Sequence, residues 1–353
     1  MRIIRRLSTI VIGFTLFIAG LLKLMDPVGA GLVMDEYFRF FHLNFLHFAS
    51  DFAGSAMALC ETVLGIALIT GVWRRVVAIV TLAALSLFTL ITVVLVIFNP
   101  VMDCGCFGEA VHLTHFQSLL KNLILLALWC VSFLPFRSME PTRKVKYVSF
   151  SIATVSVSLF LLYSVFSIPM LDFTDYKPGT ELTSIENMDW MQGDEAVLLS
   201  FSNAQGEYTD SLALHGNVLA ASVYDPAEMS AQRWHKLSAL MGEAAGKGYT
   251  PLVLSASTPE LITGQLSSPE LLPYIYFADR KTLLTLNRSN GGVSFISDGQ
   301  IVAKWSVNRL PDGAKLDQLA AADPIESLVA ENHGHKIKFQ AFLLYVCAVI
   351  LLL

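Results

Sequence analysis

The sequence predicts a polytopic α-helical membrane domain, then a water-soluble α/β domain, then a short C-terminal membrane helix. Three observations carry that fold class. Hydrophobic residues make up 54% of the 353 and charged residues only 15%, with a mean hydropathy of +0.58, where a soluble domain carries about 25% charge. The charge is split: residues 1–170 have a net charge of +4 and residues 171–335 of −11, which calls for two domains. Long uncharged runs are confined to the first half and the extreme C-terminus. The composition excludes an ordinary cytosolic enzyme and makes the lipid bilayer a partner. The acidic half argues against nucleic acid as another.

Spans are apolar runs of about 17–25 residues. Residues 7–25 form the first, with Lys23 near its end; 52–70 the second, interrupted by Glu61; and 76–98 the third, without charge. Residues 116–133 form the fourth, with Lys121 near its start, and 145–168 the fifth, with Lys146 at its edge. Residues 337–353 form a sixth run, about 25 Å long at 1.5 Å per residue, which spans only marginally. The domains follow: 1–135 a four-helix membrane core, 136–168 a fifth transmembrane helix, 169–195 a linker, 196–335 the soluble domain and 336–353 the C-terminal helix. Arg2, Arg5 and Arg6 precede the first run, but that run is long and no small-residue cleavage site precedes Asp26-Pro27, so it reads as an uncleaved anchor.

With the N-terminus inside, the inner positions hold Arg2, Arg5, Arg6, Arg74, Arg75, Arg137, Arg143, Lys144 and Lys146, and the outer ones Lys23, Arg39 and Lys121. Cytoplasmic loops carry the excess of Lys and Arg, so 26–51, 99–115 and 169–336 are expected outside, in the periplasm, with the chain held in a bacterial inner membrane. The aromatic-rich segment 33–48 suits a helix lying in the outer interface.

The soluble part alternates strands and helices. Residues 196–202 and 218–224 read as strands, and 228–245 has helical periodicity through Met229, Trp234, Leu237, Leu240 and Met241. Residues 251–255 are a further strand, and Thr258 with Pro259 opens a short helix. Residues 292–297 and 300–305 flank Asp298-Gly299, a strong hairpin signal. This order indicates an α/β domain with a mixed sheet. His333-Gly-His335 reads as a linker to the last span.

Of the five cysteines, Cys60, Cys130 and Cys347 fall inside spans and read as small apolar packers. Cys104 and Cys106 lie in the loop after the third span, in Asp103-Cys-Gly-Cys-Phe-Gly108. Outside an inner membrane, neighbouring thiols form a disulfide or bind metal. A bridge across Gly105 closes so small a ring that it stabilises little, and strained, exposed disulfides are the labile ones that exchange; a static staple is the competing reading. Asp103 disfavours the thiolate. Cys104, Cys106, His112 and His115 are also a candidate metal set, although Thr114 and Gln117 form a capping box that puts His115 on a helix first turn. Lys23, Asp26 and Glu61 form a candidate polar cluster in the membrane, either a clamp between the first two spans or a site handling protons or a quinone. No phosphate loop and no Ser/His/Asp set is present, which disfavours kinases and hydrolases.

Phe17-Ile-Ala-Gly-Leu-Leu-Lys23-Leu-Met-Asp26-Pro27, with Glu61, Gly65 and Gly71, resembles the DoxX-like membrane family, and Asp103-Cys-Gly-Cys-Phe-Gly108 resembles its MauE branch, named for methylamine utilisation. The likeness covers about residues 7–135 and implies a four-helix core similar to vitamin K epoxide reductase and DsbB, serving the maturation of disulfide-rich periplasmic protein. The large extra domain is similar to that of DoxX-like proteins of Bacteroidales. Residues 195–310 resemble a TlpA-type thioredoxin fold: 206–218 its leading hairpin, 218–224 its first core strand and 292–305 its closing hairpin. The Cys-x-x-Cys of that fold would fall at Asp225-Pro-Ala-Glu-Met-Ser-Ala231 and its cis-proline near Asn290-Gly291-Gly292. No cysteine occurs in 131–346, so this domain cannot exchange disulfides.

The expected function is therefore a redox-linked membrane protein assisting envelope protein maturation or thiol balance, with Cys104 and Cys106 as its exchangeable pair and a periplasmic or membrane protein as partner. A quinone or a metal ion is the candidate cofactor. The alternatives are a non-catalytic scaffold whose cysteine-free domain binds a partner, and a protein handling metal or a small molecule.

Overall fold

A computed structural model of the chain describes residues 2–134, 142–183 and 197–352; Arg137 and residues 184–195 of the expected linker lie outside the described residues. The chain divides into two compact units, one of Met1–Val165 with Phe339–Leu353, the other of Phe166–Lys338.

The first unit is helical: α1 (Arg2–Met25), α2 (Pro27–Phe40), α3 (Ser50–Thr70), α4 (Arg74–Phe98), the short extended segment β1 (Cys106–Glu109), α5 (His115–Phe133) and α6 (Lys144–Val165). Among the described residues six helices are long and apolar enough to cross a membrane. Between lipid-soluble helices the hydrophobic effect offers little, so close backbone approach decides the pairing. Small residues supply it where α1 meets α3: a Cβ on Gly65 would lie 2.5 Å from the Phe17 backbone nitrogen, and one on Gly20 would lie 2.6 Å from the Ala58 carbonyl oxygen. The α4–α5 contact is polar at two points, with Trp129 Nε1 donating to the Ala78 carbonyl at 2.9 Å and Asn122 donating to Thr92 Oγ1 at 3.3 Å. The Thr114–Gln117 capping box starts α5 as expected.

The segment 33–48 differs from the single interfacial helix expected. Asp26 accepts from the Gly29 amide and Pro27 takes the first position, so α2 starts earlier; it ends at Phe40, and Asn44–Ala49 forms a separate 3₁₀ turn. Its glycine-rich side packs on α3, where a Cβ on Gly54 would lie 2.5 Å from the Ala30 carbonyl oxygen. Asp35 ties the two pieces, pairing with His47 and with Arg39 at 2.9 Å.

The second unit is built on a five-stranded sheet. The lead-in gives β2 (Leu182–Thr183), paired in parallel with β3 (Val197–Leu198). Then come β4 (Asn217–Val223), α7 (Ala231–Gly246), β5 (Thr250–Ser255), α8 (Pro259–Gln265), β6 (Ile275–Phe277), α9 (Arg280–Leu286), β7 (Gly292–Ser297), β8 (Gln300–Trp305) and α10 (Gly313–Ala321). The sheet order is β6-β5-β4-β7-β8, with β4, β5 and β6 parallel and β7 and β8 antiparallel. Alternate residues of β4 serve opposite faces: Leu219, Ala221 and Val223 join Trp234, Leu237 and Leu316 in one core, and Val218 and Ala220 join Leu252, Leu283 and Ile296 in the other. The hairpin forms where the sequence places it. Residues 206–218 do not make the expected hairpin: Ser202 bridges Tyr208, and Asp210–Ala213 is a 3₁₀ turn.

The last element, α11 (Pro324–Leu352), runs through the expected linker at His333-Gly334, so the described part of the marginal run, 337–352, is the end of a 29-residue helix. Its final turns pack on α6, where Phe342 stacks on Phe160 at 4.5 Å and Ser149 Oγ donates to the Val349 carbonyl at 2.6 Å.

Candidate functional site

The site forms where the loop after α4 folds back over α1 and α2. Gly105 and Gly108 have φ of +59° and +61°, a region that glycine enters at no steric cost. Space also demands Gly105, since a Cβ there would lie 2.2 Å from Val33 Cγ1; Gly108 lies over Lys23. The two glycines of Cys-Gly-Cys-Phe-Gly therefore fit the loop to the helices and turn both sulfurs inward.

Beneath the loop is a cavity of about 230 Å³. Lys23 and Glu61 lie on its wall, with Lys23 Nζ 2.7 Å from Glu61 Oε2 and both side chains under a tenth exposed. Leu16, Leu85, Phe88 and Leu125 make much of the rest apolar, and Tyr37, Thr92, Lys121 and Asn122 add polar groups. The structure thus brings Lys23, Glu61, Cys104 and Cys106 to one place. Asp26 acts instead as the α2 cap.

The two cysteines, expected as a disulfide or as metal ligands, stand as free thiols linked by a hydrogen bond. Cys104 is buried: Ser118 Oγ donates to its sulfur at 2.8 Å, and Tyr37 donates to its carbonyl at 2.8 Å. Cys106 is more exposed and lies on the cavity beside Lys121. The hydrogen bond from Cys104 pushes the Cys106 thiol down to about 5; burial opposes this, and the Lys121 ammonium, by charge and hydrogen bond, and the charge of Lys23 assist it. The Cys104 thiol is pushed far up by the hydrogen bond it gives, by burial and by the Cys106 charge. The expectation that Asp103 opposes the thiolate is corrected: its carboxylate sits on the exposed side at 3.1 Å from His112 Nδ1, while the cations occupy the sulfur side.

The four-ligand set is not assembled. His112 pairs with Asp103, His115 Nε2 lies 3.1 Å from the Pro100 carbonyl oxygen, and among the described residues no three His, Cys, Asp or Glu groups stand together as metal ligands. Lys121 and Ser118 are further residues of the candidate site that the sequence analysis did not place there. Their signal is helical spacing: Ser118, Lys121, Asn122 and Leu125 follow the capping box at i, i+3, i+4 and i+7, the face that α5 turns to the loop and cavity.

In the second unit, the loop after β4 holds no cysteine. Asn290 closes it, donating to the Asp225 carbonyl at 2.6 Å and accepting from the Asp225 amide at 3.2 Å.

Fold and site together define a polytopic membrane protein with a cysteine loop above a buried ion pair. Residues 1–135 match the family model described as methylamine utilisation protein MauE, so this part of the chain is similar to that family. No curated protein and no solved structure gives a match to the chain.

Proposed function

We propose that this is a redox-linked protein of a bacterial inner membrane that exchanges disulfides with an envelope protein through Cys104 and Cys106. The observation that carries the reading is the shared cavity: a low-lying thiol, a protonated thiol partner and a buried ion pair meet in one largely apolar pocket. Thiolate character and access control cysteine reactivity, and Cys106 has both. The family match supports a membrane accessory role in redox chemistry or maturation.

The orientation proposed has the N-terminus in the cytoplasm and both the cysteine loop and residues 169–336 in the periplasm. Of the three cations counted on the outer side, Lys23 and Lys121 line the cavity and Arg39 is paired with Asp35, so the inner excess of Lys and Arg is left to decide. We further assign the second unit to the thioredoxin-like class. The order β5-β4-β7-β8 with a helix between β4 and β5 supports this, and its lack of cysteine makes it a docking module for the partner. If Cys104 and Cys106 prove inert, that module becomes the working part and the protein a scaffold.

The test is thiol trapping in intact cells. Cys104→Ser or Cys106→Ser should abolish function at unchanged protein level, because a bridge over one residue adds little stability, and the remaining thiol should capture a partner as a mixed disulfide. A double variant that works normally and captures nothing overturns the exchange reading. Protease should reach residues 169–336 once the outer membrane is permeable; cleavage only after inner-membrane lysis reverses the orientation.

A further inference from the structure

The charges that face Cys106 come from three helices. Lys23 on α1 and Glu61 on α3 neutralise each other. Lys121 on α5 is a second cation, and Glu61, the carboxylate among the described cavity-lining residues, is already taken. Lys121 instead has the Cys106 sulfur within hydrogen-bond reach, and its ammonium lies 5.0 Å from the centre of the Phe107 ring. Tyr37 on α2 lines the same pocket, with its hydroxyl committed to the Cys104 carbonyl.

We propose that Lys121 is the positioning residue and counter-ion of the Cys106 sulfur, and that this pairing favours the reduced pair over its disulfide, so that the site draws electrons from the dithiol of a partner protein. The inference rests on the exchange reading above and adds its direction. The physical reason is charge balance. A Cys104–Cys106 disulfide is uncharged, and forming it takes the anion from beside the half-buried Lys121 ammonium; breaking it restores that anion. A nearby opposite charge favours the thiolate, and a pair whose reduced form is stabilised is an oxidant.

The step balances. A partner thiolate attacks Cys106 Sγ, the Cys104–Cys106 bond breaks, and Cys104 leaves and takes a proton; Ser118 holds that sulfur. The partner's second thiolate then attacks its own sulfur in the mixed disulfide, and Cys106 leaves as a thiolate beside Lys121. The partner loses two electrons and two protons and gains a disulfide; the Cys pair gains both electrons and one proton, and the other proton goes to water.

The experiment uses the full chain in detergent, with a charged alkylating reagent and peptide-level mass spectrometry to read Cys106, and glutathione buffers to read the thiol–disulfide ratio. Wild-type Cys106 should label at pH 6 nearly as fast as at pH 8. Lys121→Met should slow labelling at pH 6 about ten-fold and move the glutathione equilibrium about ten-fold toward the disulfide. Lys121→Arg should keep both properties, and Lys121→Gln replaces the Met variant if that chain does not accumulate. Neutral variants that match wild type in labelling and equilibrium overturn the inference while leaving the exchange reading in place. A wild-type pair that forms no disulfide at any glutathione ratio overturns both.

Discussion

The loop after α4 and the loop after β4 are the two positions at which the sequence resemblances place a thiol pair, and they are built in opposite ways. The first carries two cysteines, is turned inward by glycines, and has cations on the sulfur side. The second carries none, and the Asn290 amide bonds both polar groups of the Asp225 backbone. One loop stores charge in a cavity; the other spends its polar groups on closing itself. The electrostatic setting of a loop thus follows from where the surrounding helices put their ammonium groups, and the order of strands in a sheet does not supply it.

The largest expected effect separates the two units by their buried charges. Glu61→Leu removes the anion from a membrane-buried Lys23 and should cost about 3 kcal/mol, seen as loss of folded protein in the membrane, whereas Glu61→Gln keeps hydrogen-bonding capacity and should be mild. Adding Lys23→Met to Glu61→Leu should restore accumulation, since no lone charge remains. If Glu61 also moves protons, Glu61→Gln will lose function at normal protein level; wild-type function in Glu61→Leu would sink both roles.

The next effect falls on the other loop. Asn290→Ala leaves the Asp225 amide and carbonyl without their partner and should destabilise the sheet unit by about 1–3 kcal/mol. Hydrogen exchange at residues 224–229 should rise while Cys106 labelling stays unchanged. A change in Cys106 labelling would show that the loops are not independent.

The smallest effect is a pH dependence within the sheet unit. Lys304 Nζ lies 2.6 Å from Asp172 Oδ2. Burial raises the Asp172 carboxyl, but the charge and hydrogen bond of Lys304, with bonds from Thr174, outweigh it and hold it below its usual range. A depressed carboxylate contributes stability that is complete above its unfolded value of about 3.9 and is lost as pH falls through the folded value. Protection of β8 from exchange should therefore decline in acid, and Lys304→Met should flatten that decline. An unchanged acid profile in that variant would rule the pair out as its source.

The readings that hold are those in which the deciding atoms are close in sequence. The apolar runs that became membrane-capable helices, the Thr114–Gln117 box, the strands at 218–224 and 251–255, and the hairpin at Asp298-Gly299 all depend on residues within a turn or a pleat of one another. Lys121 read as an edge cation at the start of its span and Asp103 as a charge disfavouring the thiolate, because along the chain Asp103 is the charge next to the cysteines. Only the folded bundle rotates α5 so that Lys121 meets Cys106, and only the approach of α1 to α3 across Gly20 and Gly65 lets Lys23 reach Glu61. The charge state of the cysteine pair is a property of groups on separate helices, and helix rotation and tertiary packing place them there.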